Sequence, residues 1–186
     1  MVAAREYRDW REASVRHLSA HSAQAKVEPQ GRLVDRCGPE FEKARKAGLL
    51  IPLEPLVPAS PEAVEEAEET IGYRIPSLLR RLYLEVANGG FGPRQGILGV
   101  RGGVADEWPD IVDVYRTFSS DPECTDPPGL IWILDWGCAI WSIVDCKGSE
   151  GQMWVAEEGE LMPLDQTISD WLQMWLECRL TIPSVA

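Results

Sequence analysis

Residues 58–90 read PASPEAVEEAEETIGYRIPSLLRRLYLEVANGG, and the boundaries of two consecutive helices are written into them. Ser60 is a good N-cap, and Pro61 suits the first helical position, where a missing N–H costs nothing. Val64, Ala67 and Ile71 then share one face while Glu62, Glu65, Glu66 and Glu69 fall elsewhere. Gly72 fits the left-handed residue that closes a helix. Pro76 permits a second start, Leu78, Leu79, Leu82, Tyr83 and Val86 form a wide apolar stripe, and Asn88-Gly89-Gly90 stops it.

The rest of the chain is organised around this pair. Its 186 residues suffice for one domain of ordinary size with an appended segment. At 45% apolar the chain can build a core without metal or disulfide. The five cysteines, Cys37, Cys124, Cys138, Cys146 and Cys178, are odd in number and make no C-x-x-C pair. They read as reduced thiols of a cytoplasmic protein. The N-terminus MVAAREYRDWRE alternates charges where a signal peptide needs an apolar run, and no stretch is apolar enough to span a membrane.

The net charge of −12 is uneven. Residues 1–50 carry ten Lys/Arg against seven Asp/Glu, whereas residues 51–186 carry eight against twenty-three. A domain that acidic repels nucleic acid phosphates and suits a basic protein partner. The same acidity also serves solubility, so charge alone does not name a partner.

An amphipathic helix is expected over residues 3–26, with Tyr7, Trp10, Val15 and Leu18 in one arc. His17 and His21 share its surface; two ligands are too few for a metal site, so they read as ordinary surface histidines. A short helix over Phe41–Leu50 ends at Gly48, and the four prolines of Ile51–Pro61 make an extended connector. The expected organisation is a helical extension over 1–50, a connector over 51–59 and a main domain over 60–186.

Beyond the helix pair, Gly96–Val100 reads as a strand and Glu107–Phe118 as a helix from Pro109 onward. Leu130–Leu134 and Cys138–Val144 read as strands interrupted at Asp135-Trp136-Gly137. Gln152–Ala156 follows as a third strand, and Leu161–Leu164 can pair back as a fourth. Short turns between consecutive strands imply antiparallel pairing. Thr167 and Asp170 form a variant capping box for a last helix striped by Ile168, Trp171, Leu172, Trp175 and Leu176. The fold class is α+β, a mostly antiparallel sheet packed against helices.

Catalytic signatures are missing: there is no G-x-S-x-G elbow, no Walker loop and no G-x-G-x-x-G after a strand. The glycines of Asn88–Gly96 follow a helix instead of opening one, so they read as a turn and not as a phosphate loop. Both histidines lie outside the main domain, which leaves it without the commonest general base. Binding is therefore expected in place of catalysis, with no cofactor and no metal. Most of the eight tryptophans read as core. Trp136 is the candidate for a docking surface, because Asp135 and Gly137 suggest a bend at a strand end.

The stretch Val64–Gly90 closely resembles the opening of the SUKH superfamily, whose type family is SMI1/KNR4. Glu68, Gly72, Ile75-Pro76, Leu82 and Asn88-Gly89-Gly90 occupy the places of that pattern. The likeness continues through Phe91-Gly92-Pro93, Gly96–Val100, Asp135-Trp136-Gly137-Cys138, Asp145, Trp171 and Trp175, and covers roughly 60–178. The resemblance implies an α+β fold and a binding role. Bacterial members are commonly immunity proteins that neutralise toxins, often nucleases, whereas fungal relatives act as interaction scaffolds. The resulting expectation is an immunity-type protein that binds a basic toxin. Asp106, Glu107, Asp110 and Asp113 would attract it, and Asp135 and Trp136 would take part in the contact. The alternative is a regulatory scaffold without a toxin, its N-terminal segment serving as partner helix. An enzyme using carboxylates is a third reading.

Overall fold

A computed structural model of the chain describes residues 25–27, 32–34, 37–51, 56–103, 108–120 and 126–183. The chain divides into two compact units, Met1–Leu56 and Val57–Ala186.

In the first unit, β1 (Ala25–Val27) pairs antiparallel with β2 (Arg32–Val34) and with β3 (Leu50–Ile51), in the order β2-β1-β3. Helix α1 (Pro39–Lys46) has proline in its first turn, and Gly48 follows its end at φ 68°. The expected helical extension is thus a mixed unit in its described part. The helix expected over 3–26 gives way to strand at Ala25-Lys26, and its remainder, with His17 and His21, lies outside the described residues. Strands of two or three residues are too short for an alternating pattern to be legible.

The second unit opens with α2 (Pro61–Ile71) and α3 (Ser77–Glu85). The Ser60 hydroxyl accepts the Ala63 N–H at 3.2 Å, and Gly72 closes α2 at φ 78°, its N–H bonded to the Glu68 carbonyl. Val64, Ala67 and Ile71 are buried, as are Leu79, Leu82 and Tyr83 of α3. Burial pushes the Tyr83 hydroxyl far above its ordinary pKa, and it donates to the Leu98 carbonyl at 2.7 Å.

Helix α4 (Ile111–Ser119) precedes a four-stranded antiparallel sheet of β4 (Leu130–Gly137), β5 (Ile140–Asp145), β6 (Gln152–Glu157) and β7 (Glu160–Thr167), in that spatial order. Helix α5 (Ile168–Leu176) ends the fold, and the Thr167–Asp170 capping box forms. Trp141 and Ser142 are consecutive on β5 and so face opposite sides of the sheet. On one side Phe118 of α4 stacks on Trp132 at 4.7 Å and meets Trp141 edge-on. On the other the Trp136 indole N–H donates to the Ser142 hydroxyl at 2.8 Å and the ring packs edge-on against Trp171 of α5. Helices therefore cover both faces, and β4 and β5 are buried almost throughout.

Three local expectations are corrected. Gly96–Val100 is not a strand: it lies along β4 through one bond, Leu98 N–H to the Ile133 carbonyl at 2.7 Å. Close packing of Gly96 on Gly90 and of Gly99 on Asn88 bends this segment away from a ladder. The interruption expected at Asp135–Gly137 is part of β4, and the turn is Cys138-Ala139, both left-handed at φ 54° and 59°. Asp135 and Gly137 are turn-forming residues, and register shifts between Trp132 and Leu134 and between Asp135 and Gly137 accommodate them within the strand. Finally, Cys37 and Cys178 are each disulfide-bonded, whereas Cys138 and Cys146 are free.

Candidate functional site

The segment after α3 is tied into a closed loop by Asn88. Its side-chain oxygen accepts the Val100 N–H at 2.8 Å and its amide donates to the Arg101 carbonyl at 3.2 Å. Gly89, at φ 78°, brings the backbone so near Gly99 that a Cβ there would sit 2.5 Å from the Gly99 nitrogen. Further bonds from Gly90 N–H to Ile97 and from Ile97 N–H to Phe91 narrow the loop. Its tip, Pro93-Arg94-Gln95, is thereby held over the end of β4.

Between that tip and β4 lies a cleft of about 240 Å³, with Arg94, Gln95, Trp108, Asp135 and Trp136 among its lining residues. The Arg94 guanidinium stands 5.9 Å from the centre of the Trp136 ring, within cation–π reach. Arg94 is exposed and left-handed, at φ 51°. The Asp135 carboxylate accepts the Gly137 N–H at 2.7 Å, which stiffens the approach to the hairpin turn. Trp136 is 6% exposed, so it floors the cleft and does not project from the surface.

The other candidates sit apart from this cleft. Asp110, 9% exposed, is the N-cap of α4 and accepts the N–H groups of Val112 and Asp113 at 2.8 and 2.9 Å. Asp113 is half-buried, 3.9 Å from Arg116, and lines a second hollow with Asp110, Glu66 and Arg101. Glu66 and Arg101 pair across that hollow. Asp106 and Glu107 lie outside the described residues. The structure thus brings Asp135 together with Trp136 and Asp110 together with Asp113, in two separate places.

Arg94, Gln95 and Trp108 went unnoticed in the sequence. The available signal was a Pro-Arg-Gln tip between two glycines, which reads as an ordinary turn until its distance to β4 is known. Burial pushes the Cys146 thiol up to about 12, which keeps it protonated. Among the described residues no three His, Cys, Asp or Glu side chains are grouped to hold a metal. No helix among them is long and apolar enough to cross a membrane.

Among known families, that of SMI1 / KNR4 (SUKH-1) matches residues 58–174, more than half of the chain, from the approach to α2 into α5. No curated protein matches.

Proposed function

The chain belongs to the SMI1 / KNR4 family (SUKH-1), and from that premise we propose that it is an immunity-type protein that neutralises a basic toxin by binding it. The observation that carries the reading beyond the family is the charge of residues 51–186, twenty-three Asp/Glu against eight Lys/Arg. Such a surface accelerates encounter with a basic partner and rejects acidic ones.

In this reading Asp106, Glu107 and Asp113 supply long-range attraction. Asp110 adds to the same field while its carboxylate caps α4. Asp135 and Trp136 belong to the cleft where contact is made. The reading assigns binding, not catalysis, and needs no cofactor. It places the protein in the cytoplasm, where an incoming toxin acts. That Cys37 and Cys178 are disulfide-bonded points the other way, towards an oxidising compartment. Mass spectrometry of unreduced protein from the native cell decides between them.

The direct test mixes the purified protein with the toxin encoded beside its own gene. A stoichiometric complex on gel filtration and loss of toxin activity are expected. Toxin that remains fully active beside an excess of the protein overturns the proposal.

A further inference from the structure

We infer that the cleft between the loop tip and the end of β4 is an anchor pocket for one arginine side chain of the partner, with Arg94 standing at its rim in the free protein. The inference rests on the reading of a basic protein partner and specifies how that partner is gripped.

Size is the first argument. A volume of about 240 Å³ lies below the ~300–1,000 Å³ typical of pockets for drug-sized ligands, so the cleft suits a single side chain. Its chemistry is the second. Trp108 and Trp136 offer indole rings and Asp135 a carboxylate. One oxygen of Asp135 takes the Gly137 N–H, and among the described residues it has no cationic partner. An anionic side chain would meet Asp135 as a like charge, and an apolar one would bury Asp135 unpaired. A guanidinium satisfies both walls, since it stacks on an aromatic face and bonds a carboxylate in its own plane.

The third argument is that the ring contact already exists in the free protein. Arg94, a lining residue, holds its guanidinium 5.9 Å from the Trp136 ring centre, yet forms no ion pair with Asp135. The volume of about 240 Å³ is open with Arg94 in place, so an arginine arriving from outside enters beside it and takes the Asp135 carboxylate that Arg94 leaves unpaired. Arginine against aromatic rings is a frequent binding hot spot.

The test uses the full chain, labelled with nitrogen-15, and N-acetyl-arginine amide as the probe, followed by NMR. Saturable shifts are expected at the amides of Gln95, Gly96 and Gly137 and at the Trp108 indole. Arg94→Ala should tighten binding about two- to fivefold, as removal of a like charge from the rim allows. Arg94→Lys should stay near the parent. Asp135→Asn, which keeps the acceptor for Gly137, should weaken binding about fivefold or more. N-acetyl-leucine amide should leave those resonances unmoved. Equal response to the leucine probe, absence of saturable shifts, or weaker binding by Arg94→Ala overturns the inference. The two readings fail separately. Toxin capture unchanged in Asp135→Asn removes the pocket and keeps the function; arginine binding without any toxin capture does the reverse.

Discussion

Glu68 stands among Glu62, Glu65, Glu66 and Glu69 on α2, yet its side chain alone of the five turns inward. Its Oε1 accepts the Ile75 N–H at 3.0 Å and the Arg80 Nε–H at 3.2 Å, clasping the link between α2 and α3. Glu62, Glu65 and Glu69 serve the acidic field, Glu66 is paired with Arg101 and Glu68 serves the fold, a division that composition cannot express. Asn88 is the second such residue. Asn88→Ala leaves the buried Val100 N–H without its acceptor and should cost about 1–3 kcal/mol. Urea unfolding at neutral pH reads this directly, and an unchanged midpoint counts against the role given to Asn88. Asp170 is the third. Its carboxyl is held below the ordinary range, first by the Thr167 N–H and then by the Thr167 hydroxyl. A depressed folded pKa means stability that is present above the unfolded value and lost as pH falls through the folded one. The stability gap between the parent and Asp170→Asn should therefore shrink on going from about pH 6 to about pH 2. A gap independent of pH removes that assignment.

At the scale of elements, the helices were legible because their ends are written in residues with one dominant local role. Ser60, Pro61, Gly72, Thr167 and Asp170 each do in the structure what their chemistry dictates. The hairpin between β4 and β5 was not. A two-residue turn of this hand needs positive φ at both positions, and neither Cys138 nor Ala139 advertises that. Asp135 and Gly137 are better turn formers and drew the expectation to themselves. The cleft was half legible: Asp135 and Trp136 were visible as an odd strand end, while Arg94 is separated from them by some forty residues of chain. Between β6 and β7 the turn residues Glu158 and Gly159 carry the required positive φ, which fixes the register. Counting from that turn, Leu161 and Pro163 present their backbone outward, to the free edge of the sheet. Pro163 thus sits where an N–H would otherwise invite a foreign strand. Pro163→Thr should promote self-association, seen as a rising sedimentation coefficient with concentration. A variant that stays as monodisperse as the parent sinks this explanation.

For the molecule as a whole, charge decides how a partner is found more than how tightly it is kept. Screening extends over ~8 Å at physiological ionic strength, so the attraction of scattered surface carboxylates fades as salt is added. The association rate with the toxin should fall steeply between low and high salt while the dissociation rate changes little. Stopped-flow mixing over a salt series separates the two, and a salt-independent association rate contradicts the electrostatic part of the proposal. The order of layers has a further consequence, for biosynthesis. The strands β4 to β7 neighbour one another in the order in which they leave the ribosome, so each hairpin can close with little loop entropy to overcome. The helix that covers the Trp136 face emerges after all four strands, and its Trp171 is fully buried against that face. A chain cut short before α5 displays a bare indole surface, the kind of signal by which proteases and chaperones recognise unfinished products. In this fold the core of the sheet stays open through the synthesis of all four strands and is concealed only when the helix that follows them arrives.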